Sequence, residues 1–290
     1  MKSFRSSAAT QVTANIAGVQ KFELSDSDFR RLRDLVYAKT GIALTDAKRE
    51  LVYGRLARRL RKLQVKSFAE YCDLVESGDP LELQELTNAI TTNLTSFFRE
   101  NHHFEQLARD ILPEVERQRA ATRRIRVWSA GCSTGEEPYS IAVILRECLG
   151  HLRDWDVKLL ATDIDSKVLA AAADGRYPGE RFRGMAPQRL KYFPPCDEEH
   201  EFRGASDELK SLATFKRLNL LDPWPMKGPF DIVFCRNVII YFDKATQRTL
   251  FERMAALQEP GSWLFIGHSE NLFNVTDRYR LVSRTMYQRV

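Results

Sequence analysis

One run, Arg126 to Ala142, constrains the fold of this chain more than any other. Arg126-Val127-Trp128-Ser129-Ala130 reads as a short hydrophobic strand. Gly131-Cys132-Ser133-Thr134-Gly135 is a turn of small residues, and Glu136-Glu137-Pro138-Tyr139-Ser140-Ile141-Ala142 opens an amphipathic helix that carries on through Ile144 and Leu145. In open α/β sheets such a strand–loop–helix unit sets the strand's carboxyl end and the helix's amino end around one crevice, where nucleotide-like ligands sit. Small residues let the backbone approach that ligand closely.

The acids at the helix start bear on what the ligand is. A phosphate cradle presents bare N–H groups and a Lys or Arg, whereas this loop has no Lys and leads into Glu136-Glu137. Two readings stand. Either these are first-turn acids favoured by the helix dipole, or they receive a cation. S-adenosylmethionine, with an ammonium, a sulfonium and no phosphate, suits the second.

Length and composition set the outer limits. A chain of 290 residues holds about two domains of ~100–200 residues. Charged residues make up 29% and no apolar run nears the ~20 residues that span a bilayer, so a disordered or membrane-spanning chain is not expected. The net charge of +5 biases the chain only mildly towards acidic partners and does not announce nucleic acid. Cys72, Cys132, Cys148, Cys196 and Cys235 form no Cys-x-x-Cys pair. They read as free thiols in a reducing compartment, without a disulfide frame or a metal site.

In chain order, residues 1–20 read as a flexible tail with no export segment. Residues 21–92 read as an N-terminal all-helical domain. Ser25-Asp26-Ser27-Asp28 caps a helix carrying Phe29, Leu32, Leu35 and Val36 that ends near Gly41. A second helix starts near Asp46, and two more cover about 67–77 and 80–91. The second pairs an apolar stripe, Leu51, Val52, Leu56, Leu60 and Leu63, with a basic remainder of Lys48, Arg49, Arg55, Arg58, Arg59, Arg61 and Lys62. That face is either solvated surface or a docking face for an acidic partner.

Residues 93–290 read as the α/β domain. Its linker, 93–100, is a polar run closed by Phe97, Phe98 and Arg99, and interdomain clefts are favoured ligand sites. Asn93, Thr95 and Arg99 are therefore candidates to face the crevice, although Asn and Thr would also serve as helix caps. Residues 157–165 form a buried strand ending in acids, and Asp163 is placed to accept ribose hydroxyls. Residues 175–215, rich in Gly and Pro, break the βα rhythm and read as an inserted subdomain. Strands at 214–221 and 230–238, a helix at 244–257 and two terminal strands at 263–267 and 281–290 complete the pattern, the last pair antiparallel.

Five stretches together resemble the chemotaxis receptor methyltransferase family known as CheR. They are Thr91-Thr92-Asn93-Leu94-Thr95-Ser96-Phe97-Phe98-Arg99, Ser133-Thr134-Gly135-Glu136-Glu137-Pro138-Tyr139-Ser140, Ala161-Thr162-Asp163-Ile164-Asp165, Cys235-Arg236-Asn237-Val238-Ile239-Ile240-Tyr241-Phe242 and Gly267-His268-Ser269-Glu270-Asn271. The resemblance implies a Rossmann-like S-adenosylmethionine-dependent methyltransferase fold with a small N-terminal all-helical domain and a small β-rich inserted subdomain. It implies a cytoplasmic bacterial enzyme, a protein-glutamate O-methyltransferase that forms γ-methyl esters on chemotaxis receptors and releases S-adenosylhomocysteine. On the family's pattern Asn93, Thr95, Arg99, Glu137, Asp163, Asn219, Leu220, Arg236 and Asn237 line the cofactor site, with Glu137 on the ammonium and Asp163 on the ribose. Arg99 and Tyr241 are the expected catalytic side chains, orienting the incoming carboxylate. Lys48, Arg55, Arg58, Arg59 and Lys62 are expected to dock the acidic helical methylation region, and the insert is a candidate grip for a receptor C-terminal peptide.

Two rival classes remain at this level. A nucleic-acid methyltransferase that acts on base amino groups typically carries an Asn/Asp-Pro-Pro-aromatic segment to hold a flipped base, where this chain has Cys235-Arg236-Asn237-Val238. A binding or cofactor-sensing module would not need Arg99. His268 reads as a loop residue near the site and not as a base.

Overall fold

The computed structural model describes residues 21–152 and 154–290. The tail expected at 1–20 lies outside them. The described residues begin with four helices: α1 (Asp26–Thr40), α2 (Arg49–Leu63), α3 (Phe68–Glu76) and α4 (Pro80–Ile90). The starts of α1, α3 and α4 follow from local chemistry. The Ser25 hydroxyl accepts from the Asp28 N–H, the Ser67 hydroxyl from the Glu70 N–H, and Asp79 accepts from the Leu81 N–H just after Pro80 at the first helical position. Phe29, Leu32, Val36, Val52, Leu56, Leu60, Phe68 and Tyr71 bury one shared core between them.

Beyond the linker, α5 (His102–Gln106) passes through a π turn at Leu107–Ile111 into α6 (Leu112–Arg119). The βα units follow: β1 (Arg124–Ala130), α7 (Glu136–Leu149), β2 (Asp156–Asp163) and α8 (Ser166–Asp174). Next come β3 (Arg176–Pro178), β4 (Phe202–Gly204), the single turn α9 (Asp207–Lys210), β5 (Ala213–Arg217) and β6 (Ile232–Cys235). The chain ends with α10 (Lys244–Ala256), β7 (Trp263–Ile266), β8 (Tyr279–Ser283) and β9 (Met286–Arg289).

The main sheet has the order β5-β2-β1-β6-β7-β9-β8, parallel as far as β7. Strand alternation divides its side chains between two helical layers. Ile125, Val127, Ile232, Phe234, Trp263 and Phe265 join the core under α5, α6 and α7, while Trp128, Ala130, Val233, Cys235, Leu264 and Ile266 join the core under α10. Strand order reverses between β1 and β6, the switch point at which ligands bind in such sheets.

Two expectations change in detail. The single strand expected over 281–290 is a hairpin of β8 and β9, turned at Arg284 with φ +43°, and it is β9 that lies antiparallel to β7. No Gly or Pro marks that turn. The insert holds the two-stranded β3–β4 sheet with short helical turns at Gly179–Phe182 and Pro187–Tyr192, and the expected bound at 215 falls inside β5 of the main sheet.

Candidate cofactor cleft

The cleft lies where the helical module meets the carboxyl ends of β1, β2 and β6. Direct bonds hold this junction: the Ala43 N–H donates to the Tyr241 carbonyl at 3.0 Å, and the Asn219 amide donates to the Lys39 carbonyl at 2.8 Å. On the other flank Lys167 pairs with Glu85 at 2.8 Å.

Small residues in the loop after β1 are a steric requirement. Gly131 has φ +83°, and a Cβ there would come within 2.3 Å of a Val238 methyl. The loop then turns its N–H groups inwards. The Ser133 N–H donates to Asp163 at 2.8 Å, and the Asp165 N–H donates to the other Asp163 oxygen at 3.0 Å. Burial pushes the Asp163 carboxyl above its usual range, although these backbone bonds oppose the shift.

Glu137 sits in the first turn of α7. One of its oxygens accepts from the Ser129 hydroxyl at 2.8 Å and the other from Arg236 at 2.9 Å. Burial raises its pKa against the pull of Arg236. Glu136 points elsewhere. It is buried, accepts from the Thr134 hydroxyl at 2.6 Å, and faces Arg181 of the insert at 3.5 Å.

Asn93, Thr95, Arg99, Glu137, Asp163, Asn219, Leu220, Arg236, Asn237 and Tyr241 all line this one cleft. Several are held from behind. The Asn93 amide donates to Asp165 at 2.9 Å, and the Asn237 N–H donates to Glu270 at 2.9 Å. Arg99 donates to the Leu94 carbonyl at 2.9 Å. Burial holds the Tyr241 phenol above its ordinary pKa despite Arg99 and Arg55 nearby, so it stays a proton donor at neutral pH.

Side chains without a role in the sequence reading emerge as supports. Asp165 caps α8 and grips Thr91 and Asn93. Buried Glu270 gathers the N–H groups of Gly267, Asn237 and Ile240, which fixes the loop carrying Tyr241. Only Asp165 had a local signal, the cap spacing to Lys167 and Val168. Phe97 packs its ring on Tyr177, Phe182 and Phe193 of the insert at 4.9–5.0 Å between centroids, so the linker and the insert share a core.

The basic face of α2 divides. Arg55 donates to the carbonyls of Ala89, Ile90 and Thr91 at the end of α4. Arg59 pairs with buried Glu82 and with Glu85. Both spend their charge within the molecule, which removes them from a free docking face. Lys48 lines the cleft, 5.0 Å from the centre of the Tyr241 ring, while Arg58 and Lys62 are exposed. His268 is exposed and bonds Glu100 at 3.1 Å. Glu100, His102 and His103 bring potential ligand atoms within 4.8 Å of one another, but the nearby Arg236 and Arg284 oppose a cation there.

A cleft at the switch point, walled by buried Asp163 and part-buried Glu137 and with no lysine in its loop, has the chemistry of a cationic nucleoside site. Residues 93–288 match the family model described as CheR methyltransferase, SAM binding domain, and residues 27–91 match the CheR methyltransferase all-alpha domain. The chain belongs to the CheR family. Chemotaxis protein methyltransferase 2 of Pseudomonas aeruginosa is 45% identical over 281 residues, covering 96% of this chain and 98% of that protein. The chemotaxis protein methyltransferase of Klebsiella aerogenes is 44% identical, covering 99% and 98%. That of Escherichia coli is also 44% identical, covering 92% of each. Membership in CheR makes this chain an S-adenosylmethionine-dependent methyltransferase of chemotaxis. Among the described residues, no helix is long and apolar enough to cross a membrane.

Proposed function

We propose that the chain transfers a methyl group to glutamate side chains of chemotaxis receptors, forming γ-methyl esters. One observation carries this reading: ten side chains from five separate parts of the sequence, chosen for this chemistry, line a single cleft between the helical module and the sheet. The cleft suits the cofactor in charge as well as in place. Glu137 would hold the methionyl ammonium and Asp163 the ribose hydroxyls. When bound, S-adenosylmethionine supplies a methyl group already activated on a sulfonium.

No base is required. A glutamate carboxylate is ionised at neutral pH, and its oxygen attacks the methyl carbon in line. The new O–C bond forms as the S–C bond breaks and sulfur keeps the electron pair, leaving an ester and S-adenosylhomocysteine with no proton moved. The enzyme's work is alignment and exclusion of water. Arg99 meets the incoming carboxylate with a charge-assisted hydrogen bond and Tyr241 donates its hydroxyl. Lys48, Arg58 and Lys62 steer an acidic receptor helix towards them.

Transfer of labelled methyl to receptor-containing membranes, followed by mild alkali and collection of volatile methanol, tests the reading. Alkali-labile label that disappears when Arg99→Ala replaces the wild type supports it. Alkali-stable label, or label on nucleic acid, would refute it.

A further inference from the structure

The turn that presents Arg99 is held open by its neighbours. Phe98 has φ +53° and Glu100 φ +57°, so left-handed residues flank Arg99 on both sides. Neither is glycine, and such a conformation persists only where the surroundings enforce it. The Phe98 N–H donates to the Ser140 hydroxyl of α7 at 2.9 Å, and Arg236 donates to the Arg99 carbonyl. The Glu100 carboxylate lies 3.5 Å from the same guanidinium, 3.1 Å from His268 and 3.7 Å from His103.

Arg236 thus has two acidic neighbours. Its side chain is 1% exposed, Glu100 is 11% and Glu137 is 12%. Burial opposes ionisation of Glu100, but Arg236 and the His268 bond outweigh it and keep its carboxyl below the usual range. Burial and Arg236 push His103 down to about 3, so it is neutral and leaves the balance of charge untouched. Two carboxylates therefore face one buried guanidinium at the edge of the cleft.

We propose that Glu100 is a positioning residue: by sharing Arg236 with Glu137 it keeps Glu137 available to a cationic ligand group, and by the same contact it fixes the turn that carries Arg99. This rests on the reading of the cleft as the cofactor site. Without the Glu100 charge, Arg236 belongs to Glu137 alone. The remaining pair is then neutral, and an ammonium finds a weaker partner.

The test uses the full chain, with S-adenosylhomocysteine binding by calorimetry, methyl transfer to receptor membranes and thermal melting. In Glu100→Gln, which keeps the shape and loses the charge, Kd rises at least fivefold and kcat falls. In Glu100→Asp, which keeps the charge but draws it back from the turn, Kd stays within twofold while kcat falls at least threefold. A purely structural residue would lower the melting temperature in both and leave the affinity of the folded protein alone. Folded Glu100→Gln that binds within twofold of the unaltered chain overturns the inference, as does equal weakening in the two variants. Should Glu100→Gln not fold, Glu100→Asp decides, and an unchanged kcat overturns. If the unaltered chain binds no S-adenosylhomocysteine, the reading of the cleft fails and this inference with it; failure of the variants alone leaves that reading standing.

Discussion

Asp165 ties the helical module and linker to the sheet, and replacing it by Ala should destabilise the protein far more than any surface change. Its side chain is buried. One oxygen accepts from the Lys167 and Val168 N–H groups at 2.9 and 3.3 Å, and the other from the Thr91 hydroxyl at 2.7 Å and the Asn93 amide at 2.9 Å. Losing a helix cap costs about 1 kcal/mol. Leaving Thr91 and Asn93 without a charged acceptor adds ~1–2 kcal/mol for each donor that water cannot reach. The sum is about 3–5 kcal/mol, or roughly 6–20 °C at the ~2–4 °C per kcal/mol of a domain this size. Asp165→Asn keeps the cap acceptor but turns an amide towards the Asn93 amide, so it should lose about half as much. Urea unfolding followed by circular dichroism reads both variants. A loss under ~1 kcal/mol in Asp165→Ala, or an Asn variant as unstable as the Ala one, would refute the reasoning.

Three further outcomes follow from the cleft and its surroundings. Glu137→Gln removes the charged partner of a charge-assisted hydrogen bond, worth ~1.5–3 kcal/mol, so S-adenosylhomocysteine should bind roughly 10–100-fold more weakly in calorimetry; a change under threefold contradicts the assigned role. His103 is buried with its pKa lowered from 6.5 to about 3. The unfolded chain takes up a proton there below ~6.5 while the folded one resists, so this stability is complete above pH 6.5 and drains as the pH falls towards 3. The loss reaches about 2 kcal/mol at pH 5. His103→Gln should flatten the urea midpoint between pH 7 and 5, and equal slopes would show that His103 is not responsible. Charge steering by Lys48, Arg58 and Lys62 should make receptor methylation fall steeply with added salt, and Arg58→Glu with Lys62→Glu should raise KM for receptor while cofactor affinity stays level. Methylation equally fast at low and high salt would remove that face from the docking model.

What could be read from the sequence was whatever depends on neighbours in the chain. The small residues from Gly131 to Gly135 between a strand and a helix state the crevice outright, because φ +83° at Gly131 and its close approach to Val238 admit no side chain. Ser25, Ser67 and Asp79 announce their helices for a similarly local reason. The α2 arginines show where such reading stops. Arg55, Arg58 and Arg59 look alike on a helical wheel, yet Glu82 from α4 neutralises Arg59, and the carbonyls ending α4 absorb Arg55. The difference lies 23 to 36 residues away. Glu100 and Glu270 are the same problem in reverse: each is an unremarkable acid until the fold brings Arg236 to one and three backbone N–H groups to the other. A charge acquires its function from its counter-charge, and in this cleft the counter-charges arrive from the linker, α7 and the loop after β6. That is why its lining could be named from motifs, whereas the groups that aim the lining required the three-dimensional arrangement.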